Sequence, residues 1–387
     1  MEPIRILNVV GRMDRGGIET LIMNVYRHID RSRVQFDFLA HYGKENADYN
    51  AEIRSLGGRI YEMPVIKSTE KTYYGKFFAY RRALKAFFKE HPEYHIVHGH
   101  MTNTAAIYMP IAKKQGKVTC CIAHSHLSQT QKAVSPVTAI LTDLLRKPIK
   151  KHATQYFSCS DSATRWLFGD DPKVLERVQL VQNGVDCEAF AYSPEKRVAM
   201  REQLGVGDKT VIGHVGRFFH AKNHGFLVDI FHAYHQRNPQ SVLLLVGEGE
   251  LRPQIEDKVK ALGLTDSVIF TGVRGDVNDL MQAMDLFFMP SLYEGLPLVG
   301  IEAQAAGLPL VVSTGITEEM NITGHVRFLE LEQPVEQWVQ QIEDSLCGFE
   351  RSSTTAMMQQ AGYDIQRTAD FLQQFYLEEH ARAEEGI

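Results

Sequence analysis

Short runs of apolar and β-branched residues alternate with longer stretches of helical periodicity from the start of the chain. One series of runs falls at 4–10, 35–40, 59–63, 95–100, 118–126 and 154–160, and a second at 210–216, 241–247, 267–271, 285–289 and 309–313. Strands separated by helices imply parallel sheets joined by right-handed crossovers. Two such series predict an α/β protein of two Rossmann-like, doubly wound domains. The turn-rich Gln182-Asn183-Gly184-Val185-Asp186 and the Ser193-Pro194 step before a helix at 195–204 put the link between them near 184–194. The expected division is therefore an N-terminal domain of 1–188 and a C-terminal domain of 189–362, with a last helix in 363–387 crossing back to the first domain. Open α/β sheets bind ligands beyond the carboxyl ends of their strands, so two facing domains predict a central cleft able to close on two substrates.

Composition narrows the partners. With 44% hydrophobic and 23% charged residues over 387 positions the chain is of ordinary globular type. A net charge of -5 gives no general attraction to nucleic acid, and none is expected as a partner. Five cysteines, at 120, 121, 159, 187 and 347, form no C-x-x-C pair and fit neither a disulfide framework nor a zinc ribbon. The first apolar run is too short for a signal peptide, and none approaches the roughly 18 residues of a membrane span. A cytoplasmic protein is the expectation. Residues 73–89 interleave aromatic and basic side chains, a pattern open to peripheral contact with a membrane surface. The favoured reading is a crossover helix packing its aromatics on its own sheet while Lys and Arg reach for water.

The segment 290–307 is the richest in chemistry. It leaves a strand, passes a glycine turn and enters a helix with Pro297 in its first turn, where a missing N–H is harmless. A helix start of this kind, spanning Gly295, Leu296, Pro297 and Leu298, offers amides and a positive dipole end to a diphosphate. Glu294 in the loop and Glu302 inside the helix are carboxylates suited to paired sugar or ribose hydroxyls. Arg217 and Lys222 follow the strand that ends at Gly216, and can neutralise a departing phosphate, one as a fork and the other as a point charge. Gly16-Gly17 joins the first strand to the first helix and permits close backbone approach to a ligand, although it is not G-x-G-x-x-G, and a nicotinamide cofactor is disfavoured. His98-Gly99-His100 and His124-Ser125-His126 each place two imidazoles on one face of a strand end. Without a partnering Cys or Asp spacing, cleft-lining histidines are favoured over zinc. No Asp-x-Asp clamp occurs either, so no metal is expected and cationic side chains must do its work.

With these residues in hand, the chain resembles the retaining glycosyltransferases of family four (group one), of the bacterial capsular or exopolysaccharide type, with GT-B architecture. The likeness rests on Glu294 and Glu302 as a Glu-x7-Glu pair, on Gly216-Arg217 with Lys222-Asn223, and on Gly16-Gly17-Ile18-Glu19. It implies a metal-independent hexosyltransferase without a cofactor. A nucleotide-diphosphate sugar, with uridine the family-weighted base, would be the co-substrate, and a saccharide or lipid-linked saccharide the acceptor. By the resemblance Arg217 and Lys222 contact the diphosphate, Glu302 the ribose and Glu294 the transferred sugar, with the 295–298 amides assisting and the base near Val273. His124 matches a histidine beside the transferred sugar, and His126 stands two positions on. The alternatives are a sugar-nucleotide epimerase of the same architecture and a catalytically silent nucleotide-sugar binder.

Overall fold

A computed structural model describes residues 2–41, 47–64, 73–126 and 146–386. The chain forms two units, one of Met1–Gly184 with Ile365–Ile387 and one of Val185–Asp364. Among the described residues the first unit has seven strands: β1 (Ile4–Val10), β2 (Val34–Ala40), β3 (Ile60–Glu62), β4 (Ile96–Gly99), β5 (Cys120–Ser125), β6 (Gln155–Ser158) and β7 (Val178–Leu180). They form one parallel sheet in the order β3-β2-β1-β4-β5-β6-β7. The second unit has six: β8 (Thr210–Val215), β9 (Ser241–Val246), β10 (Val268–Gly272), β11 (Leu286–Met289), β12 (Leu310–Ser313) and β13 (Val326–Leu329). These are also parallel, in the order β10-β9-β8-β11-β12-β13.

Helices covering both faces explain why strands such as β9, SVLLLV, are buried at every position. The order in which strands are laid down reverses between β1 and β4 in one sheet and between β8 and β11 in the other. Each reversal opens a crevice at the carboxyl edge, where loops diverge to opposite faces. The apolar pattern anticipates β1 to β6 and β8 to β12 but omits β7 and β13. Both are short edge strands with exposed or half-buried positions, Leu180 and Arg327 among them, and so lack a continuous apolar run.

The units divide at Gly184/Val185, where the expected link begins, and the rest of that stretch is packed structure of the second unit. Val185 and Cys187 are buried, Asp186 caps the helix Cys187–Phe190 through the Ala189 amide, and Ser193 caps Pro194–Leu204 through the Lys196 amide. These local hydrogen bonds at the helix starts hold 185–194 within the second unit.

Helix Tyr73–Glu90 buries Tyr80, Leu84, Phe87 and Phe88 in the first unit's core, while Arg81, Arg82, Lys85 and Lys89 are exposed. The side chains of residues 73–76 lie outside the described residues. The final helix, Ile365–Glu385, packs on the helix Gly17–His28 and on β1, β2 and β4, with Tyr376 fully buried. No helix among the described residues is long and apolar enough to cross a membrane.

A buried polar knot pins the opposite edge of the first sheet. Arg5 makes a bidentate pair with Asp37, both bonds at 2.6 Å, and the Tyr94 hydroxyl and Arg59 amide donate to the same carboxylate at 2.7 Å. Asp37→Ala leaves a largely buried guanidinium without its partner, and a loss of about 3 to 5 kcal/mol in urea denaturation is expected.

Candidate active site

In the second unit, five loops gather at the carboxyl edge. The loop after β8 is tied to β9 by the Gly216 amide donating to Val246 O at 2.9 Å, and to the next loop by the Phe218 amide donating to Glu248 O at 3.0 Å. Gly247 lies at φ +138°, and a Cβ there would fall 2.2 Å from Gly216 O. Only glycine allows this approach, which braces the segment carrying Arg217. The Gly247-Glu248-Gly249 turn is a site element that motif reasoning passed over. Its signal was a Gly-x-Gly directly after a strand.

The loop after β11 joins the same cluster. Its Leu292 amide donates to Ala221 O at 2.8 Å, Asn223 Nδ2 donates to Pro290 O at 3.2 Å, and the Glu294 amide donates to Gly315 O at 2.9 Å. These bonds join segments on either side of the β8/β11 reversal and bring two expected site residues together. Lys222 Nζ lies 2.6 Å from a Glu294 carboxylate oxygen, and both side chains are more than four-fifths buried.

Arg217 sits on the rim, exposed, its guanidinium 5.9 Å from the Phe219 ring, and has no ion pair among the described residues. The structure thus presents Arg217 to water and holds Lys222 against a carboxylate. Beneath Lys222, His214 Nδ1 donates to Phe288 O at 2.8 Å, and His224 stacks on Phe218. Burial is the main cause holding both imidazoles neutral, with the Lys222 charge assisting.

Helix Leu298–Ala305 follows, with Pro297 as the residue before its first turn and not inside it. Leu296 and Leu298 are buried apolar anchors, so what they offer a ligand is backbone. Glu302 is 8% exposed, and burial alone raises its carboxyl to about 7. It makes no ion pair or hydrogen bond with a described side chain. Val273, after the left-handed Gly272, is 46% exposed, and the neighbouring Arg274 is engaged by Asp276 at 2.5 Å.

In the first unit, Gly16 precedes the helix Gly17–His28, and a Cβ on it would fall 2.4 Å from Glu19 Oε2. Glu19 therefore folds over the glycine turn, and burial raises its carboxyl to about 7. The two H-x-H motifs meet on β4 and β5. His98 Nε2 lies 3.0 Å from His124 Nδ1, and His100 Nδ1 lies 3.0 Å from His126 Nε2. His124 is sealed at 4% exposure, whereas His126 stands one step closer to the carboxyl edge and is half-buried.

Residues 209–347 match the group 1 glycosyl transferases and residues 15–189 match glycosyltransferase family 4. The Bacillus subtilis (strain 168) protein named glycosyltransferase EpsF is 35% identical over 378 residues, 96% of each chain. The Escherichia coli UDP-Gal:alpha-D-GlcNAc-diphosphoundecaprenol alpha-1,3-galactosyltransferase is 30% identical over 229 residues, 57% of this chain and 58% of that one. In fold, the crystal structure of Anabaena Alr3699/HepE in complex with UDP and glucose aligns at a TM-score of 0.76 and 19% identity, covering 96% of this chain and 99% of that one. The two parallel-sheet α/β units are those of the GT-B glycosyltransferases. The chain belongs to glycosyltransferase family 4, group 1.

Proposed function

We propose that this glycosyltransferase moves a hexose, with retention, from a UDP-linked sugar to a saccharide or lipid-linked saccharide acceptor during synthesis of a bacterial surface polysaccharide. The observation that carries the reading is the Lys222–Glu294 pair at the β8/β11 reversal, with Arg217 exposed on the same loop. A cation and a carboxylate held together suit a donor that is anionic at its phosphates and hydroxylic at its sugar. The names of the relatives support the wider setting. The E. coli relative's name includes UDP-Gal and a diphosphoundecaprenol acceptor, and the Anabaena structure holds UDP and glucose.

As the anomeric C–O bond breaks, negative charge grows on the β-phosphate and positive charge on the ring. Lys222, Arg217 and the N–H groups of 295–298 other than Pro297 are donors for the first, so no metal is needed at the diphosphate. Glu302 takes the ribose hydroxyls and Glu294 the sugar. The loop at Val273 meets the base. The departing phosphate oxygen receives the acceptor's proton, which permits attack on the face it leaves. Gly16 and Gly17 lend backbone to the donor side. Of the two candidate histidines, the half-buried His126 is better placed than the sealed His124 to meet a bound ligand. A cytoplasmic enzyme at the inner membrane face is the setting, with Arg81, Arg82, Lys85 and Lys89 as the exposed cations for acidic lipid.

A thermal-shift panel of nucleotide-diphosphate sugars tests the donor. The true donor raises the melting temperature by mass action, while nicotinamide dinucleotides leave it unmoved. A panel in which no nucleotide sugar shifts the melt would overturn the reading. Donor incubated alone should show at most slow hydrolysis, whereas an isomeric nucleotide sugar would identify an epimerase.

A further inference from the structure

The second unit carries a cleft that the donor chemistry leaves unused. It lies where the edge strand β13 meets the helix Val335–Leu346, and it reaches the carboxyl ends of β12 and β13 at Thr314 and Glu330. The helix divides cleanly between two faces. Trp338, Val339 and Ile342 enter the core, which turns Gln337, Gln340, Gln341 and Asp344 outward along the cleft. Backbone bonds fix the two loops at its end: the Thr314 amide donates to Leu329 O at 2.9 Å and the Gln333 amide to Glu330 O at 3.1 Å. Its volume of about 470 Å³ falls within the roughly 300–1,000 Å³ range of small-ligand sites.

The lining is one-sided in its chemistry. Gln333, Gln337, Gln340 and Gln341 bring four primary amides, and no Lys, Arg or His is among the described residues that line it. From Glu330 to Leu346 the sequence contains none of the three. An amide sets N–H donors beside a carbonyl acceptor, and a sugar hydroxyl both donates and accepts, so one amide can satisfy two neighbouring hydroxyls. The Gln333 and Gln337 side chains have no hydrogen-bond partner among the described residues. Gln340 Nε2 donates to Asp344 Oδ1 at 3.0 Å, which orients that amide and keeps its carbonyl for a ligand. Other ligand classes fit poorly. A phosphate or uronate would face Glu330 and Asp344 with no cation to offset them, and an apolar ligand would strand the amides. A metal ion is no better served, since among the described residues trios of His, Cys, Asp or Glu gather only at His98, His100 and His124. A neutral polyhydroxyl compound is the class that matches.

We propose that this cleft binds a short neutral oligosaccharide, as a second carbohydrate site separate from the Lys222–Glu294 pair. The two are joined through one short segment. Thr314 lines the cleft, and its neighbour Gly315 accepts the Glu294 amide at 2.9 Å, while a Cβ on Gly315 would fall 2.5 Å from Leu292 O. The same turn therefore walls the cleft and braces the loop that carries Glu294. The occupant during synthesis is an uncharged stretch of the glycan being built, held by its hydroxyls away from the bond that forms. That assignment of the occupant rests on the transferase reading, whereas the affinity for neutral saccharide rests on the lining alone.

The test titrates full-length protein, with excess UDP present, with maltotetraose, cellotetraose, chitotetraose and the anionic tetragalacturonate, read by saturation-transfer NMR and calorimetry. At least one neutral tetrasaccharide should bind, with an affinity unchanged between low salt and about 0.5 M salt, and tetragalacturonate should not. Gln337→Ala combined with Gln341→Ala should weaken that binding about 10-fold or more, the effect of removing two neutral hydrogen-bonding groups. Gln337 is exposed and Gln341 half-buried, so the fold should survive; circular dichroism checks it, and if the pair is not folded the exposed Gln337→Ala alone decides. Failure of all three neutral probes, equal binding of tetragalacturonate, or undiminished binding in a folded variant overturns the proposal. UDP affinity measured on the same samples keeps the two readings apart. A protein that binds UDP and no tetrasaccharide loses only this cleft, and one that binds a tetrasaccharide through Gln337 but no UDP loses only the donor assignment.

Discussion

Lys222→Ala lowers turnover at saturating donor by about 100-fold or more, the cost of deleting one preorganised donor to a developing charge. The ammonium is 2.6 Å from Glu294 and largely buried, so its charge acts with little screening by water. Deletion also strands the Glu294 carboxylate, and some loss of stability accompanies the kinetic effect. Lys222→Met, which keeps the stem packed against Gly216, separates the two: its melt stays closer to wild type while turnover falls as far. Near wild-type turnover in either variant, measured by release of the nucleoside diphosphate, would remove Lys222 from the chemistry.

Glu302→Gln stabilises the free protein at alkaline pH while weakening its grip on a nucleoside diphosphate. Burial raises this carboxyl from 4.5 to about 7, so the folded protein holds a proton that the unfolded chain has released between those values. Stability associated with the group is complete below about pH 4.5, declines as pH rises, and is fully lost above about 7. At 1.36 kcal/mol per pH unit, the penalty at pH 8 is on the order of 3 kcal/mol, and at pH 5 it is roughly 1. Urea denaturation should show the variant ahead by about 3 kcal/mol at pH 8 and by only about 1 kcal/mol at pH 5. Calorimetry with UDP should show a 10- to 100-fold weaker complex, as expected for a lost hydrogen bond to a charged group. In the wild type, UDP affinity should fall as pH drops below 7 and Glu302 takes up its proton. A variant that binds UDP normally would reassign the ribose contact.

The two glutamates of the site illustrate what a linear sequence carries. Glu294 and Glu302 stand in a strand–loop–helix context that their neighbours declare: apolar run, glycine, proline, periodic helix. The core strands are equally legible, since burial on both faces demands continuous apolar runs. β7 and β13 are not, because an edge strand half open to water needs no such run. Pairing across the sheet is also invisible. That Lys222 meets Glu294 depends on β8 lying beside β11, two strands that are not consecutive in the chain. The histidines show the same limit. Each H-x-H motif alone offers two imidazoles without a partner, and only the adjacency of β4 and β5 makes four. Nor does spacing alone distinguish sealed His124 from half-buried His126, since both share one face of the strand.

The helix Ile365–Glu385 closes the first unit, although 180 residues of the second, Val185–Asp364, are made in between. During synthesis, then, the amino-terminal sheet emerges early but must wait with the face around Phe36 and His98 bare until residues 365–385 leave the ribosome. The second unit, uninterrupted in the chain, can mature first, reversing the usual order in which the leading domain folds ahead of the trailing one.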